Sequence, residues 1–120
     1  MPQRRLRRDH LHDGALDEAR GLHLAFEIFC RQIVAQRTYS LASGNGHRAH
    51  YWVNKNTLLW NYRGAIGIKT GQAAAAGACL LFEARRGAKT LIGVVLHSSS
   101  FSLNAAFSDA TKMLNWGFSQ

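Results

Sequence analysis

Lys69, Thr70 and Gly71 stand in a row after the alternating apolar run that begins at Ala65 and ends at Ile68, and Gln72, a stretch of alanines and Gly77 follow. This reads as a strand edge that presents an ammonium, a hydroxyl and a bare backbone to a ligand. The same three residues alone also describe the end of an ordinary strand leading into a turn. Other chemistries find less support. His10 with His12, and His47 with His50, have metal-ligand character, but no carboxylate or cysteine completes a set with recognised spacing, so no metal is expected. Phosphate-binding loops, dinucleotide fingerprints and internal repeats are absent from the sequence, and no cofactor is implied.

The elements that must position these groups follow from periodicity. Asp13 is placed to cap a helix over residues 15–36, on which Leu22, Phe26, Phe29 and Ile33 fall on one face and are expected to be core. Gly21 weakens that helix, at a cost of about 1 kcal/mol relative to alanine. Thr38 to Leu41 reads as a short strand, and Ser43 to His50, with Gly44, Asn45 and Gly46, as a turn or loop. Three strands are expected at 65–70, 78–84 and 90–96. The last two should form an antiparallel hairpin about Gly87. A second helix is expected over 102–116, with Leu103, Phe107, Ala110 and Leu114 on its buried face, Ser100 or Ser102 at its N-cap and Gly117 at its end. The fold class is therefore α+β, an antiparallel sheet of about three strands flanked by helices.

An ordered set of residues adds to this reading: Asn54, Asn56, Leu58 and Leu59, then Gly67 to Gly71, then Ala76 and Gly77, then Leu91 to Leu96, then Leu114 to Phe118. Together they resemble the C-terminal part of the serine D-alanyl-D-alanine carboxypeptidases, the low-molecular-mass penicillin-binding proteins of peptidase family S11. The resemblance is clear over residues 54–118 and weaker over Arg31 to Leu41. It implies a partial β-lactamase/DD-peptidase-like fold, with residues 15–120 as the C-terminal part of a catalytic domain after a basic, disordered segment over 1–14. It also implies roles. Lys69 becomes a catalytic residue that supplies positive charge near the substrate's terminal carboxylate. Thr70 becomes a substrate-binding hydroxyl for that carboxylate, or for the carboxylate of a bound β-lactam. Gly71 lets the backbone approach the substrate. The backbone N–H of Gln72 becomes one of two oxyanion-hole donors. Gln72 and Ala73 depart from the polar residue and threonine usual there, which leaves the finer substrate contacts open.

Enzymes of this kind attack with a serine in a Ser-x-x-Lys motif, assisted by a Ser-x-Asn motif. None of the serines here has lysine three residues on. Two Ser-x-Asn matches, at Ser43 to Asn45 and Ser102 to Asn104, lie outside the expected connection and read as accidental. The expectation is a C-terminal fragment that is inactive alone, cannot be acylated, and meets the D-alanyl-D-alanine stem peptide only through its binding edge. Two alternatives stay open. One is a non-catalytic remnant or subunit that binds cell-wall peptide or docks on a partner chain such as the missing N-terminal part. The other is a β-lactamase fragment, which the Asn54 and Asn56 pair and the Val94, Val95, Leu96 strand fit less well.

The formal charge is +8. Arg4, Arg5, Arg7 and Arg8 supply half of it and the remainder is scattered, so a basic tail explains it better than a nucleic-acid interface, and no nucleic acid is expected. Arg85 and Arg86 read as a charged hairpin turn. Cys30 and Cys79 read as buried free thiols. No run approaches the roughly 18 apolar residues of a membrane span. The resembled family works in the periplasm or at the cell surface, whereas the first twelve residues lack the apolar segment of a secretory signal, which predicts a cytoplasmic chain.

Overall fold

The computed structural model describes residues 6–120, with side chains at position 18 and from position 20 onward. The elements run α1 (Leu6–Val34), β1 (Thr38–Leu41), β2 (His50–Val53), α2 (Leu58–Asn61), β3 (Ala65–Ala73), β4 (Gly77–Arg86), β5 (Lys89–Val95) and α3 (Leu103–Ser119). Two units are distinguished, residues 1–32 and residues 33–120.

The first unit holds most of α1. The helix begins at Leu6, so Asp13 lies within it and not at its start, while the first five residues of the expected basic segment fall outside the described residues. The expected core stripe is corrected. Leu22, Phe26, Phe29 and Ile33 are all exposed, Leu22 by 74%. A repeating apolar face shows that a helix has one side suited to burial, but only a second packed surface buries it.

In the second unit the sheet order is β3-β4-β5, antiparallel throughout. The central strand alternates in burial along Ala78, Leu80, Phe82 and Ala84, and these four side chains face α3. From the helix, Ala106, Phe107, Ala110 and Leu114 close the core, with Leu103 packed at its margin as expected from the sequence. Ser102 caps α3 by accepting from the Asn104 N–H at 3.2 Å. Gly117 does not end this helix. It lies where α3 passes Leu91, whose Cδ1 would be 2.6 Å from any Cβ at that position, so the glycine permits close packing on the sheet.

The β4–β5 hairpin turns at Gly87, with φ +58°. Arg86, at its base, lies with its guanidinium 4.6 Å from the Tyr62 ring centroid and 4.7 Å from that of Phe118, and donates through Nε to Arg63 O at 3.1 Å. Two elements go beyond the expected set. β2 pairs with β1 as a separate ribbon, and the short helix α2 buries Leu58 and Leu59.

The Asn54 and Asn56 pair shapes the chain before α2. Asn54 accepts from the Asn56 N–H at 3.0 Å and donates to Val34 O and Gln36 O at 3.3 and 3.0 Å. Asn56, itself buried, accepts from the Leu58 N–H at 3.2 Å. Both therefore hold backbone in place, which positions the turn that leads into β3.

Candidate active-site edge

Lys69, Thr70, Gly71 and Gln72 all lie on β3, which has a strand neighbour on one side only among the described residues. Their register is Lys69↔Leu81, Thr70↔Leu80, Gly71↔Cys79 and Gln72↔Ala78. Cross-strand partners share a sheet face, so Thr70 and Gln72 stand on the α3 side and Lys69 and Gly71 on the other.

The direction of each backbone group follows from hydrogen bonds further along. Ala78 spends both of its groups beyond β5: its N–H donates to Ser99 O at 2.7 Å, and its O accepts from the Ser98 N–H at 3.0 Å. Arg85 turns the other way, donating its N–H to Gly64 O at 2.8 Å on the β3 side. Even-numbered residues of β4 thus bond toward β5 and odd-numbered ones toward β3. In an antiparallel pair the residue opposite an outward-turned partner also turns outward. Thr70 and Gln72 therefore direct N–H and C=O away from β4, along the open edge.

Lys69, Gly71 and Gln72 are exposed and Thr70 is half-buried. A Cβ built on Gly71 would have no described atom within 4 Å. Lys69 makes no ion pair among the described residues. The structure thus brings the four sequence-selected residues to one edge, with the outward N–H of Gln72 beside the open backbone of Gly71.

The rest of the candidate chemistry is local structure. Ser102 and Asn104 form the α3 cap, and Ser43 and Asn45 are exposed near the Gly44–His47 bridge. Ser98 donates to the Asp109 carboxylate, tying the segment after β5 to α3. Cys30 and Cys79 are free and half-buried, a correction to the expectation of burial. The described residues hold no cluster of three or more metal-ligating side chains, and none of their helices is long and apolar enough to cross a membrane.

An antiparallel sheet backed by a C-terminal helix, with Lys-Thr-Gly on a strand that forms an open edge among the described residues, defines the chain as an α+β protein. Comparison with known proteins gives the family. The chain belongs to the D-alanyl-D-alanine carboxypeptidase family, peptidase S11, whose sequence model matches residues 19–100. It is 45% identical over 92 residues to a D-alanyl-D-alanine carboxypeptidase of Streptomyces sp. strain K15, covering 73% of this chain and 31% of that protein. Against the carboxypeptidase DacC of Escherichia coli strain K12 it is 39% identical over 66 residues, 54% of this chain and 16% of that one. The crystal structure of the Streptomyces K15 DD-transpeptidase superposes with TM-score 0.68 at 43% identity, over 76% of this chain and 36% of that chain. A D-alanyl-D-alanine carboxypeptidase from Mycobacterium tuberculosis gives TM-score 0.61 at 30% identity, over 75% of this chain and 34% of that chain. The chain spans about a third of the length of the Streptomyces relative.

Proposed function

We propose that the open edge of β3 binds the D-alanyl-D-alanine end of a peptidoglycan stem peptide, and that this chain by itself holds the peptide without cleaving it. The observation that carries this reading is the outward N–H of Gln72 on an edge unpaired among the described residues, next to a glycine at which a Cβ would meet no described atom within 4 Å. An extended peptide can add to such an edge through main-chain hydrogen bonds. Lys69 supplies positive charge for the terminal carboxylate, and Thr70 its hydroxyl. Gly71 leaves room for the peptide backbone. The Gln72 N–H is aimed at a carbonyl oxygen, where a donor of this kind stabilises a developing oxyanion by roughly 3 to 4 kcal/mol in a comparable hydrolase.

Acyl transfer needs a further group. A serine hydroxyl must attack the carbonyl carbon while a neighbouring base takes its proton, and no serine of this chain stands in the Ser-x-x-Lys setting that does so in the family. Bound peptide is therefore released unchanged.

A second reading is favoured by the sheet face opposite α3. Leu81, Ile92 and Val94 share that face and are exposed by 38%, 62% and 51%. Contiguous apolar surface of this kind marks an interaction site, here one for a partner chain that carries the nucleophile.

The first reading is tested by incubating the purified chain with fluorescent penicillin and with a diacetyl-Lys-D-Ala-D-Ala peptide, and the second by size-exclusion chromatography with an upstream fragment of a family enzyme, where no co-elution overturns it. The expected result is reversible peptide binding by NMR, weakened by Lys69→Ala and Thr70→Val, with no label that survives denaturation. Label that persists after denaturation overturns the non-catalytic reading, and an unperturbed β3 spectrum at millimolar peptide overturns the binding one.

A further inference from the structure

The β1–β2 ribbon carries a row of rings that the β3 edge does not use. Its register, Tyr39↔Trp52 and Leu41↔His50, sets Tyr39, Trp52 and His50 on one face. The Tyr39 and Trp52 centroids are 5.9 Å apart with planes at 30°, and those of His50 and Trp52 are 5.2 Å apart with planes at 16°. All three rings are exposed, Tyr39 by 52% and Trp52 by 48%. Aromatic side chains normally serve to fill a core. These are ordered against one another instead, on a ribbon that buries none of its residues.

A groove of about 190 Å³ opens beside the row, where Gln36, Arg37 and Thr38 join Tyr39 and Trp52. Its polar groups are held ready. Arg37 donates through Nε to Leu59 O at 2.9 Å and lies 5.9 Å from the Trp60 ring centroid, which fixes the guanidinium plane and leaves its Nη amines uncommitted among the described residues. The Gln36 amide and the Thr38 hydroxyl also make no hydrogen bond among the described residues. Asn54 braces the backbone beneath them by donating to Gln36 O at 3.0 Å.

The geometry points to a binding site for one pyranose ring of a β-linked N-acetylhexosamine glycan. Such a ring, with its substituents equatorial, has flat faces of C–H groups, and these lie favourably on the electron-rich face of an aromatic ring. Its rim of hydroxyl and acetamido groups needs planar partners that donate and accept side by side, as a guanidinium and an amide do. The groove is smaller than the roughly 300 to 1,000 Å³ of pockets that enclose whole small ligands, so it holds one sugar while the rest of the polymer stays in water. A single-stranded nucleic acid also stacks on aromatics, but it requires a basic track along the backbone. Among the described residues, Arg37 is the one cation lining this groove.

This inference goes beyond the peptide-end reading and stands or falls separately from it. The test titrates the full chain with chitotetraose, the β-linked N-acetylglucosamine tetramer, by saturation-transfer NMR and calorimetry. Maltotetraose and a single-stranded oligonucleotide run in parallel. Chitotetraose should bind and maltotetraose should not. Trp52→Ala and Tyr39→Ala should each weaken binding about tenfold, the worth of one ring contact. Trp52→Phe should retain most of it, and Lys69→Ala should leave it unchanged. Circular dichroism of each variant checks that the fold is kept. Absence of saturation transfer at millimolar chitotetraose overturns the inference, as does binding that Trp52→Ala leaves intact or preference for the oligonucleotide. If glycan binds and D-Ala-D-Ala peptide does not, the peptide reading fails and this one holds; the reverse outcome sinks this one alone.

Discussion

Replacing Gly93 by alanine tests how tightly the sheet is packed around the Phe82 ring. Gly93 faces Phe82 across the β4–β5 ladder, and Phe82 faces Ile68, the residue before Lys69, across β3–β4. A Cβ on Gly93 would lie 2.7 Å from Cε2 and 3.0 Å from Cε1 of Phe82, and nearer still to Cζ. Carbon atoms rest at about 3.5 to 4.0 Å, so the ring must withdraw by roughly an ångström. Phe82 is 2% exposed beneath α3 and has no free direction in which to go. Overpacking of this kind costs about 1 to 3 kcal/mol, which urea unfolding followed by fluorescence resolves. Gly71→Ala is the matched control on the same sheet. Its Cβ meets nothing within 4 Å, so stability should stay within about 0.5 kcal/mol while peptide binding falls. Trimming the ring in Phe82→Leu with Gly93→Ala should recover part of the loss, since residues in contact couple by about 0.5 to 3 kcal/mol. Equal effects of the two glycine substitutions, or a neutral Gly93→Ala, would refute the argument that the Phe82 ring is packed against Gly93 with no room to withdraw.

Two further outcomes follow from the packing of α3. Leu114, 1% exposed, is among the largest fully buried side chains, and Leu114→Ala should lower unfolding free energy by about 2 to 5 kcal/mol in the same assay. Ser102→Ala removes the N-cap contact to Asn104 and should cost about 1 kcal/mol, whereas Ser102→Asp should retain most of the stability.

The parts of the fold that were legible in the sequence are those whose signal is local. Alternation along Ala78 to Ala84 and the turn at Gly87 give a hairpin without knowledge of anything else, and the α3 stripe ends in the core it was expected to reach. The parts that were not legible depend on distant partners. His50 to Val53 is a strand because β1 lies beside it: its residues show no burial pattern that a sequence could encode. α2 is too short for a helical period to register. The stripe on α1 shows a face, but its fate depends on surface that this chain, about a third the length of its Streptomyces relative, does not supply among the described residues. The site divides in the same way. Residue types at 69–72 could be read directly. The outward aim of the Gln72 N–H could not, because it is fixed by where Ala78 bonds, some twenty residues on at Ser98 and Ser99.

Among the described residues the sheet is unpaired along β5 as well as β3, and on β5 the residues turned outward are Thr90, Ile92 and Val94. A unit with two adhesive rims behaves as a bifunctional monomer: at high concentration it can add to others of its kind at either end and grow into fibrils. A peptide seated on one rim turns it into a chain stopper, so assembly in the presence of saturating peptide should halt at pairs joined through β5.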